Sequence, residues 1–370
     1  MSYTFAIGDR HFGGGHCLVV AEIGTGHGGD VAMARELIAA ASGAGADCAK
    51  FQCVIADEIL HPATGSVPLP GGPTSLYERF KELELDEDFY AELKAETEAR
   101  GMLFLCTPFG LGSARLLKRI GVAAMKIASP ELNHLPLLDE LASYGLPTIL
   151  SSGVSTLADI ERAVRRFRSP LALLHCVTAY PAPEAEYNLR VLPGLSGLLG
   201  LPVGVSDHSL DPVLVPALAV ASGALVVEKH ICLSRGDGGL DDPVAQPPEA
   251  FGEMVRAVRR AQARPGSDTM DELAAAYGRA AVEAALGDGV KRLAPSEAAN
   301  YLRTNRSVHA LRAIREGEVL GPDNLALLRT EKVLRPGLGP EFLDIVAGRR
   351  ARRDIPTGEG LEWEDVGDLA

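Results

Sequence analysis

The stretch LPVGVSDHSLDPVLVPALAVASGALVVEKH, residues 201–230, decides the fold of this chain. Two short apolar runs in it, Leu201-Val205 and Leu225-Val227, are each followed by a polar tripeptide, and the tripeptides end in His208 and His230. A helix-length segment separates the runs, which is typical of two parallel strands joined by a helix. In that arrangement both histidines emerge side by side at one sheet edge, with carboxylates next to them. Such a pair suits a divalent metal ion, and a hydrogen-bonded core histidine is the alternative for either ring.

The same unit, an apolar run followed by a turn and a helical segment, repeats through most of the chain. Its eight apolar runs are Cys17-Ile23, Cys48-Val54, Met102-Thr107, Ala124-Ala128, Thr148-Ser151, Leu171-Cys176, Val203-Ser206 and Leu225-His230. Continuous apolar runs are typical of strands buried on both faces, and eight alternating units predict a (β/α)₈ TIM barrel. An open doubly wound sheet is the alternative, although no GxGxxG motif follows the first strand. Gly13-Gly14-Gly15 comes before that strand and predicts a turn.

The sequence also predicts a second, smaller domain. The TIM-barrel domain is expected at residues 1–285, a linker at 286–299 and a small β-rich domain at 300–370, where short alternating runs replace the barrel units. The long connection Ile55-Leu85 predicts an active-site flap. Its Pro and Gly residues include Pro68, Pro70, Gly71, Gly72 and Pro73.

Composition narrows the class of protein. The 370 residues are 46% hydrophobic and 23% charged, which predicts a globular protein, and the net charge of −13 argues against a nucleic-acid binder. No apolar stretch reaches the length of a membrane span, and the N-terminus lacks a signal-peptide pattern, so we expect a cytoplasmic protein that does not bind membranes. Six scattered cysteines without a CxxC pair predict free, buried thiols.

Two lysines lie inside predicted apolar strands. Lys50 and Lys126 would be costly to bury unless each meets an anion. Hydroxyl residues at neighbouring strand ends would complete a pocket suited to a phosphate plus a carboxylate, namely Thr107, Ser129, Ser151 and Ser206. In the alternative, each lysine pairs with an internal acid such as Glu22, Glu131 or Glu228, and both interpretations can hold at once.

Taken together, the strand ends carry a specific set of motifs. They read AEIGTGHGGD (21–30), AKFQ (49–52), TPF (107–109), KIAS (126–129) with Glu131, SSGVSTLADIE (151–161), LLHCVTAYP (173–181), VGVSDHS (203–209) and EKH (228–230). In combination they resemble the sialic acid synthase family, which condenses phosphoenolpyruvate with amino sugars to give nine-carbon 2-keto acids. The C-terminal stretch around Asn305-Arg306-Ser307 resembles the antifreeze-like (SAF) domain that follows the barrel in that family.

The resemblance implies a metal-dependent condensation of phosphoenolpyruvate with an open-chain N-acyl hexosamine, either N-acetylmannosamine or a diacetamido-dideoxy hexose. His208 and His230 would ligate Mn²⁺ or Mg²⁺, a Lewis acid for the aldehyde. The implied catalytic residues are Glu22, Glu131 and His208. The implied substrate-binding residues are Lys50, Gln52, Thr107, Lys126, Ser129, Ser151, Tyr180, Ser206, Asp241 and Arg306. By the same resemblance, Arg306 would reach the acyl group of the sugar across a domain-swapped homodimer.

The sequence departs from the family pattern mainly around the sugar. The departures are Gly26, Thr178, Ala245 and Asn305. They leave the acceptor open. Another phosphoenolpyruvate–aldose synthase, of the deoxy-octulosonate or heptulosonate type, is an alternative that the C-terminal domain argues against. A catalytically silent sugar-phosphate-binding protein is a further one, and the retained histidines and lysines argue against it.

Overall fold

The computed structural model describes residues 3–69, 72–331 and 333–370, so Pro70 and Gly71 of the predicted flap lie outside the described residues. Eight parallel strands form one sheet: β1 Leu18–Gly24, β2 Cys48–Cys53, β3 Leu103–Pro108, β4 Met125–Ile127, β5 Thr148–Ser151, β6 Leu171–Cys176, β7 Val203–Asp207 and β8 Val226–His230. Each coincides with a predicted run to within one residue at either end.

The sheet closes on itself. Its strands are hydrogen-bonded in the order β3-β2-β1-β8-β7-β6-β5-β4, and β3 and β4 at the two ends lie side by side. Helices follow the strands and cover the outside: Val31–Gly43, Glu87–Ala99, Leu111–Arg119, Leu135–Ser143, Leu157–Val164, Val191–Leu199, Leu214–Ala221 and Pro248–Gln262. The prediction of a TIM barrel rather than an open sheet is confirmed.

Strand β8 illustrates how alternate residues serve two environments. Val226 belongs to the apolar cluster inside the barrel, and Glu228 faces the cavity above that cluster. Val227 packs in the larger core between strands and helices, and Lys229 lies on the same outward side, where its Nζ is 2.5 Å from Asp207 Oδ2. Because Asp207 is committed to that buried pair, the carboxylate next to His208 in sequence does not serve the cavity.

A hairpin closes the amino-terminal end of the barrel. Its strands, Phe5–Ile7 and Arg10–Phe12, pair in antiparallel fashion. Phe5, Ile7 and Phe12 pack with the inward apolar residues of the barrel strands. Gly13, Gly14 and Gly15 follow with φ of 115°, 61° and 97°, which confirms the predicted turn. The hairpin thus provides an apolar floor beneath the polar end of the barrel.

The remaining elements lie in the loops after barrel strands or follow the barrel. The flap contains a hairpin and a helix: Ser66–Leu69, Gly72–Ser75 and Leu76–Glu82. Short 3₁₀ helices lie at Ala56–Glu58, Pro62–Thr64, Ser129–Glu131, Glu184–Glu186, Pro340–Phe342 and Trp363–Asp365. After the barrel come three helices, Gly266–Tyr277, Arg279–Leu286 and Pro295–Ala298. The C-terminal domain then contains two hairpins, β9 Ser307–Ala310 with β10 Leu325–Leu328 and β11 Arg349–Ala351 with β12 Val366–Leu369, and the helix Leu343–Val346 between them. The domain boundaries stay predictions.

The C-terminal domain packs on the carboxyl end of its own barrel. Arg329 forms a parallel bridge with Leu60, and its N–H donates to the Ile59 carbonyl at 3.0 Å. His61 Nε2 lies 3.0 Å from the carbonyl of Leu311. These contacts join the flap region to the C-terminal domain and bring the segment from residue 300 to 331 over the barrel mouth.

Two further predictions can be compared with the described residues. All six cysteines are buried free thiols, as expected. Within the described ranges, every helix is too short or too polar to span a lipid bilayer.

Candidate active site

The carboxyl ends of the barrel strands open into a cavity of about 450 Å³. Twelve of the residues expected at a site line it: Glu22, Lys50, Gln52, Thr107, Lys126, Ser129, Ser151, Tyr180, Ser206, His208, His230 and Asp241. They come from all eight strands or the loops after them, because inward residues at the carboxyl ends of barrel strands converge on one space.

Buried acids flank the two lysines on the cavity floor. Lys50 Nζ lies 3.1 Å from Glu22 Oε2 and 2.9 Å from Glu228 Oε2. Burial lowers the pKa of Lys50, but the two carboxylates outweigh it and raise that pKa above its usual range. Lys50 therefore keeps its positive charge. It pairs with the internal acids Glu22 and Glu228, as the alternative interpretation of the sequence expected.

Lys126 is less strongly compensated. Its Nζ donates to Ser151 Oγ at 2.7 Å, and the nearest carboxylate oxygen, Glu228 Oε1, is 3.6 Å away. Burial is the largest influence and lowers the pKa of Lys126 to about 8. This lysine gains most from a second anion in the cavity.

The hydroxyl groups differ in what they bind. Ser206 Oγ donates to Glu228 Oε1 at 2.9 Å, and Ser129 Oγ accepts the Gly153 N–H at 3.0 Å. Thr107 Oγ1 is buried and has no hydrogen-bond partner among the described residues. Because a buried hydroxyl is costly to leave unpaired, Thr107 has a hydrogen-bond donor available for a ligand in the cavity.

The two histidines lie side by side, with ring centroids 5.5 Å apart. His208 Nδ1 is 2.9 Å from the Val177 carbonyl, which can only accept, so Nδ1 donates, and in the neutral ring Nε2 is left as the acceptor. The Tyr180 hydroxyl lies 3.2 Å from Nε2, and its ring stacks on His208. Fixing one ring nitrogen on a carbonyl is the usual way to orient a metal-binding imidazole.

The pKa values of the two rings move in opposite directions. Burial lowers the pKa of His230. Burial also lowers that of His208, but the negative charge of a Cys176 thiolate and the Val177 carbonyl outweigh it and raise the pKa to about 9, so the ring has to give up a proton before Nε2 can bind a metal ion. The Cys176 sulfur is 3.8 Å from His208 Nδ1.

The donor types around the histidines suit a divalent ion. Asp241 Oδ2 is 3.7 Å from His230 Nδ1, and Glu22 pairs in register with His230 on the neighbouring strand. Imidazole nitrogen with carboxylate oxygen is a donor set for Mn²⁺ and related ions. In the part of the chain that is described, however, no three such side chains already stand in a metal-binding arrangement. The residues therefore fit a metal by chemistry, with His208 and His230 as the adjacent pair.

Glu131 and Arg306 lie behind the cavity wall and do not line it. Arg306 is 1% exposed; its Nε donates to Glu131 Oε2 at 2.5 Å and its Nη2 to the Phe109 carbonyl at 2.5 Å. Arg329 Nε donates to the other oxygen of Glu131 at 3.0 Å. Within this single chain the two residues bind each other instead of facing the cavity, and their expected catalytic and sugar-binding roles stay predictions. The swapped homodimer stays a prediction.

Sequence reasoning missed the contribution of the C-terminal segment. Asn300, Thr304 and Arg329 line the cavity, as do apolar side chains of the flap such as Ile59 and Phe80. Arg329 directly follows the apolar run of β10, so its position at a strand end was a usable signal. The others depend on how the two domains dock, which no local pattern reveals.

The departures from the family pattern have different structural roles. Thr178 lines the cavity. Asn305 is buried, accepts the Leu302 N–H at 2.9 Å and donates to the Val154 carbonyl at 3.2 Å. Ala245 is also buried, outside the cavity lining. Of these three, Thr178 is the position that can contact a sugar directly.

A (β/α)₈ barrel with two buried lysines, several hydroxyl groups and two adjacent histidines at its carboxyl end, covered by a β-rich domain, has the architecture of an enzyme active site. Comparison with known proteins identifies its family. The NeuB family profile matches residues 37–270, and the SAF domain profile matches residues 305–367. The chain belongs to the NeuB family, the nonulosonic acid synthases, and the predicted family, fold and enzyme class are confirmed.

Relatives match over nearly their full length. The crystal structure of spore coat polysaccharide biosynthesis protein SpsE from Bacillus subtilis superposes with a TM-score of 0.82 at 32% identity, covering 99% of this chain and 100% of that one. The N,N'-diacetyllegionaminic acid synthase of Legionella pneumophila is 31% identical, covering 95% of this chain and 94% of that protein. N-acetylneuraminate-9-phosphate synthase of Homo sapiens is 31% identical, covering 96% and 95%.

Proposed function

We propose that this chain condenses phosphoenolpyruvate with the open-chain aldehyde of an N-acyl hexosamine, giving a nonulosonic acid and phosphate. The observation that carries the proposal is the convergence of Lys50, Lys126 and the Thr107 hydroxyl, which has no partner within the described ranges, on the cavity that also holds His208 and His230. Relatives named as legionaminic acid and N-acetylneuraminate-9-phosphate synthases support an N-acyl amino sugar as the acceptor.

The cavity floor is suited to the phosphate and carboxylate of phosphoenolpyruvate. Lys50 stays cationic because two carboxylates surround it, and Lys126 lies beside the Ser151 hydroxyl, 2.7 Å from it. Thr107 supplies a buried O–H that binds no other described residue. Together they orient the enol so that carbon 3 faces the histidine side of the cavity.

In the reaction, carbon 3 of phosphoenolpyruvate forms a bond to the aldehyde carbon, and the aldehyde oxygen becomes a hydroxyl by taking a proton. Water adds at carbon 2, and the C–O bond to phosphate then breaks to leave the 2-keto acid. A Mn²⁺ or Mg²⁺ ion held by His208 and His230 would supply Lewis-acid polarisation of the aldehyde. Glu22, held by the Gln52 amide at 2.9 Å and by Lys50, is the carboxylate we assign to accept the proton of the water.

The test is phosphate release from phosphoenolpyruvate with Mn²⁺, assayed against N-acetylmannosamine, a diacetamido-dideoxy hexose and simple aldoses. We expect release and a 2-keto acid product with an N-acyl hexosamine. No release with any N-acyl hexosamine overturns the proposal. His208→Ala should abolish release while circular dichroism stays that of the wild type, and an active variant removes His208 from the reaction.

A further inference from the structure

The segment from residue 291 to 305 contacts the loops after β5 and β6. Lys291 Nζ donates to the Ser152 carbonyl at 3.3 Å, and Asn300 Nδ2 donates to the Thr178 carbonyl at 3.3 Å. Asn305 Nδ2 reaches the Val154 carbonyl at 3.2 Å. Three side chains of one segment therefore hold two adjacent loops through their backbone.

Glu297 lies at the centre of these contacts. Glu297 is 1% exposed, and its Oε2 accepts two backbone N–H groups, from Val154 at 2.9 Å and from Thr178 at 2.8 Å. Its Oε1 accepts the Ala294 N–H at 3.2 Å. A buried carboxylate is stable only when its oxygens are hydrogen-bonded, and here a single oxygen joins the two loops.

Both loops carry residues of the cavity wall. Val154 has a φ of 41°, a left-handed conformation that a β-branched residue keeps only when its surroundings impose it. Thr178 lines the cavity two residues before Tyr180, whose ring centroid is 4.3 Å from that of His208. A shift of the Thr178 backbone would therefore move both the Thr178 side chain and the tyrosine that stacks on His208.

We propose that Glu297 is a positioning residue for the sugar-binding side of the cavity: its carboxylate fixes the loops after β5 and β6, so that Thr178 and Tyr180 are in place when the acceptor binds. The inference rests on the proposed function. It goes beyond that function by making the linker part of the site, although Glu297 itself touches no substrate. This clamp, the two bonds from Glu297 to the Val154 and Thr178 amides, does not touch Lys50 or Lys126 directly. The nearest link to the phosphoenolpyruvate side is Ser151, the last residue of β5, which accepts a hydrogen bond from the Lys126 ammonium at 2.7 Å.

The geometry sets the kinetic test. Glu297→Gln can keep one carbonyl oxygen on Val154 and Thr178 and loses only the Ala294 bond, whereas Glu297→Ala frees both loops. Glu297→Ala should raise KM for the acceptor at least tenfold and change KM for phosphoenolpyruvate less than twofold, and Glu297→Gln should stay within threefold of wild type. Equal changes in both KM values, no change, or a Gln variant as impaired as the Ala variant overturns the inference. Glu161→Ala, which removes an exposed partner of Arg165, is the matched control.

Two further measurements cover the other outcomes. If Glu297→Ala does not fold, Asn305→Ala replaces it in the test, because that substitution removes only the bond to the Val154 carbonyl and the local Leu302 cap. Asn305→Ala should raise the acceptor KM about threefold, and an unchanged KM counts against the clamp. Hydrogen exchange of the Val154 and Thr178 amides needs no substrate. Loss of their protection in Glu297→Ala supports the clamp, and retained protection overturns the clamp. If protection is lost but the wild type releases no phosphate, only the proposed function fails.

Discussion

Replacing Glu131 by glutamine should loosen the C-terminal domain from the barrel. The Glu131 and Arg306 side chains are 0% exposed, and the Arg329 side chain is 10% exposed. Glu131→Gln keeps the shape but removes the one carboxylate that both guanidinium groups share, so two buried cations are left facing backbone carbonyls and an amide.

The expected cost follows from this burial. Removing one partner of a buried ion pair destabilises a protein by about 3–5 kcal/mol, because the other charge stays buried and uncompensated. Glu331 lies 3.7 Å from Arg329 and compensates part of the second charge, so the lower end of that range applies. At about 1.4 kcal/mol per factor of ten, a loss of about 3 kcal/mol lowers the ratio of docked to undocked domain about a hundredfold.

The chain carries its own reporter for this measurement. Its single tryptophan, Trp363, lies in the C-terminal domain, 5.1 Å from the Phe342 ring, so its fluorescence follows that domain while circular dichroism follows the barrel. Urea unfolding should show the fluorescence transition of Glu131→Gln at clearly lower urea than that of wild type. Glu161→Gln, at an exposed pair with Arg165, is the control and should change stability by less than about 1 kcal/mol. A Glu131→Gln transition within about 1 kcal/mol of wild type would refute the reasoning.

Three more predictions follow from the same geometry. Burial lowers the pKa of Lys126 to about 8, so it loses its charge as pH rises past that value; kcat/KM for phosphoenolpyruvate should fall above pH 8 in wild type and show no such fall in Lys126→Met. A Cβ on Gly153 would lie 2.0 Å from Thr178 Oγ1, so Gly153→Ala should cut phosphate release at least tenfold, whereas Gly194→Ala, with open space around it, should not; equal activities contradict this. Burial raises the pKa of Glu131, but the two arginines outweigh burial and bring the pKa below its usual range. The stabilisation is therefore present above the unfolded pKa and lost as pH falls through the folded one, so urea titrations from about pH 5 down to about pH 3 should show a larger loss in wild type than in Glu131→Gln.

The barrel and the convergence of its strand ends could be predicted from sequence, because buried parallel strands are continuously apolar and their carboxyl ends meet. The adjacency of His208 and His230 followed from that rule alone. The position of Arg306 could not be predicted, because an arginine after a linker looks the same whether it reaches a substrate or a buried carboxylate. What decides its place is the docking of two domains onto Glu131, a contact between residues 175 positions apart in the chain.

The cavity wall formed by Asn300, Thr304 and Arg329 is synthesised after all the barrel strands. All eight barrel strands precede residue 231, so the barrel can form on the ribosome while the remainder of the chain is still being made. Until the last segment emerges and docks, the barrel mouth lacks that wall and Lys50 and Lys126 are less shielded from water. Competence for the proposed condensation would therefore arrive only with the final part of the polypeptide, and a chain cut short after the barrel would lack this wall of the cavity.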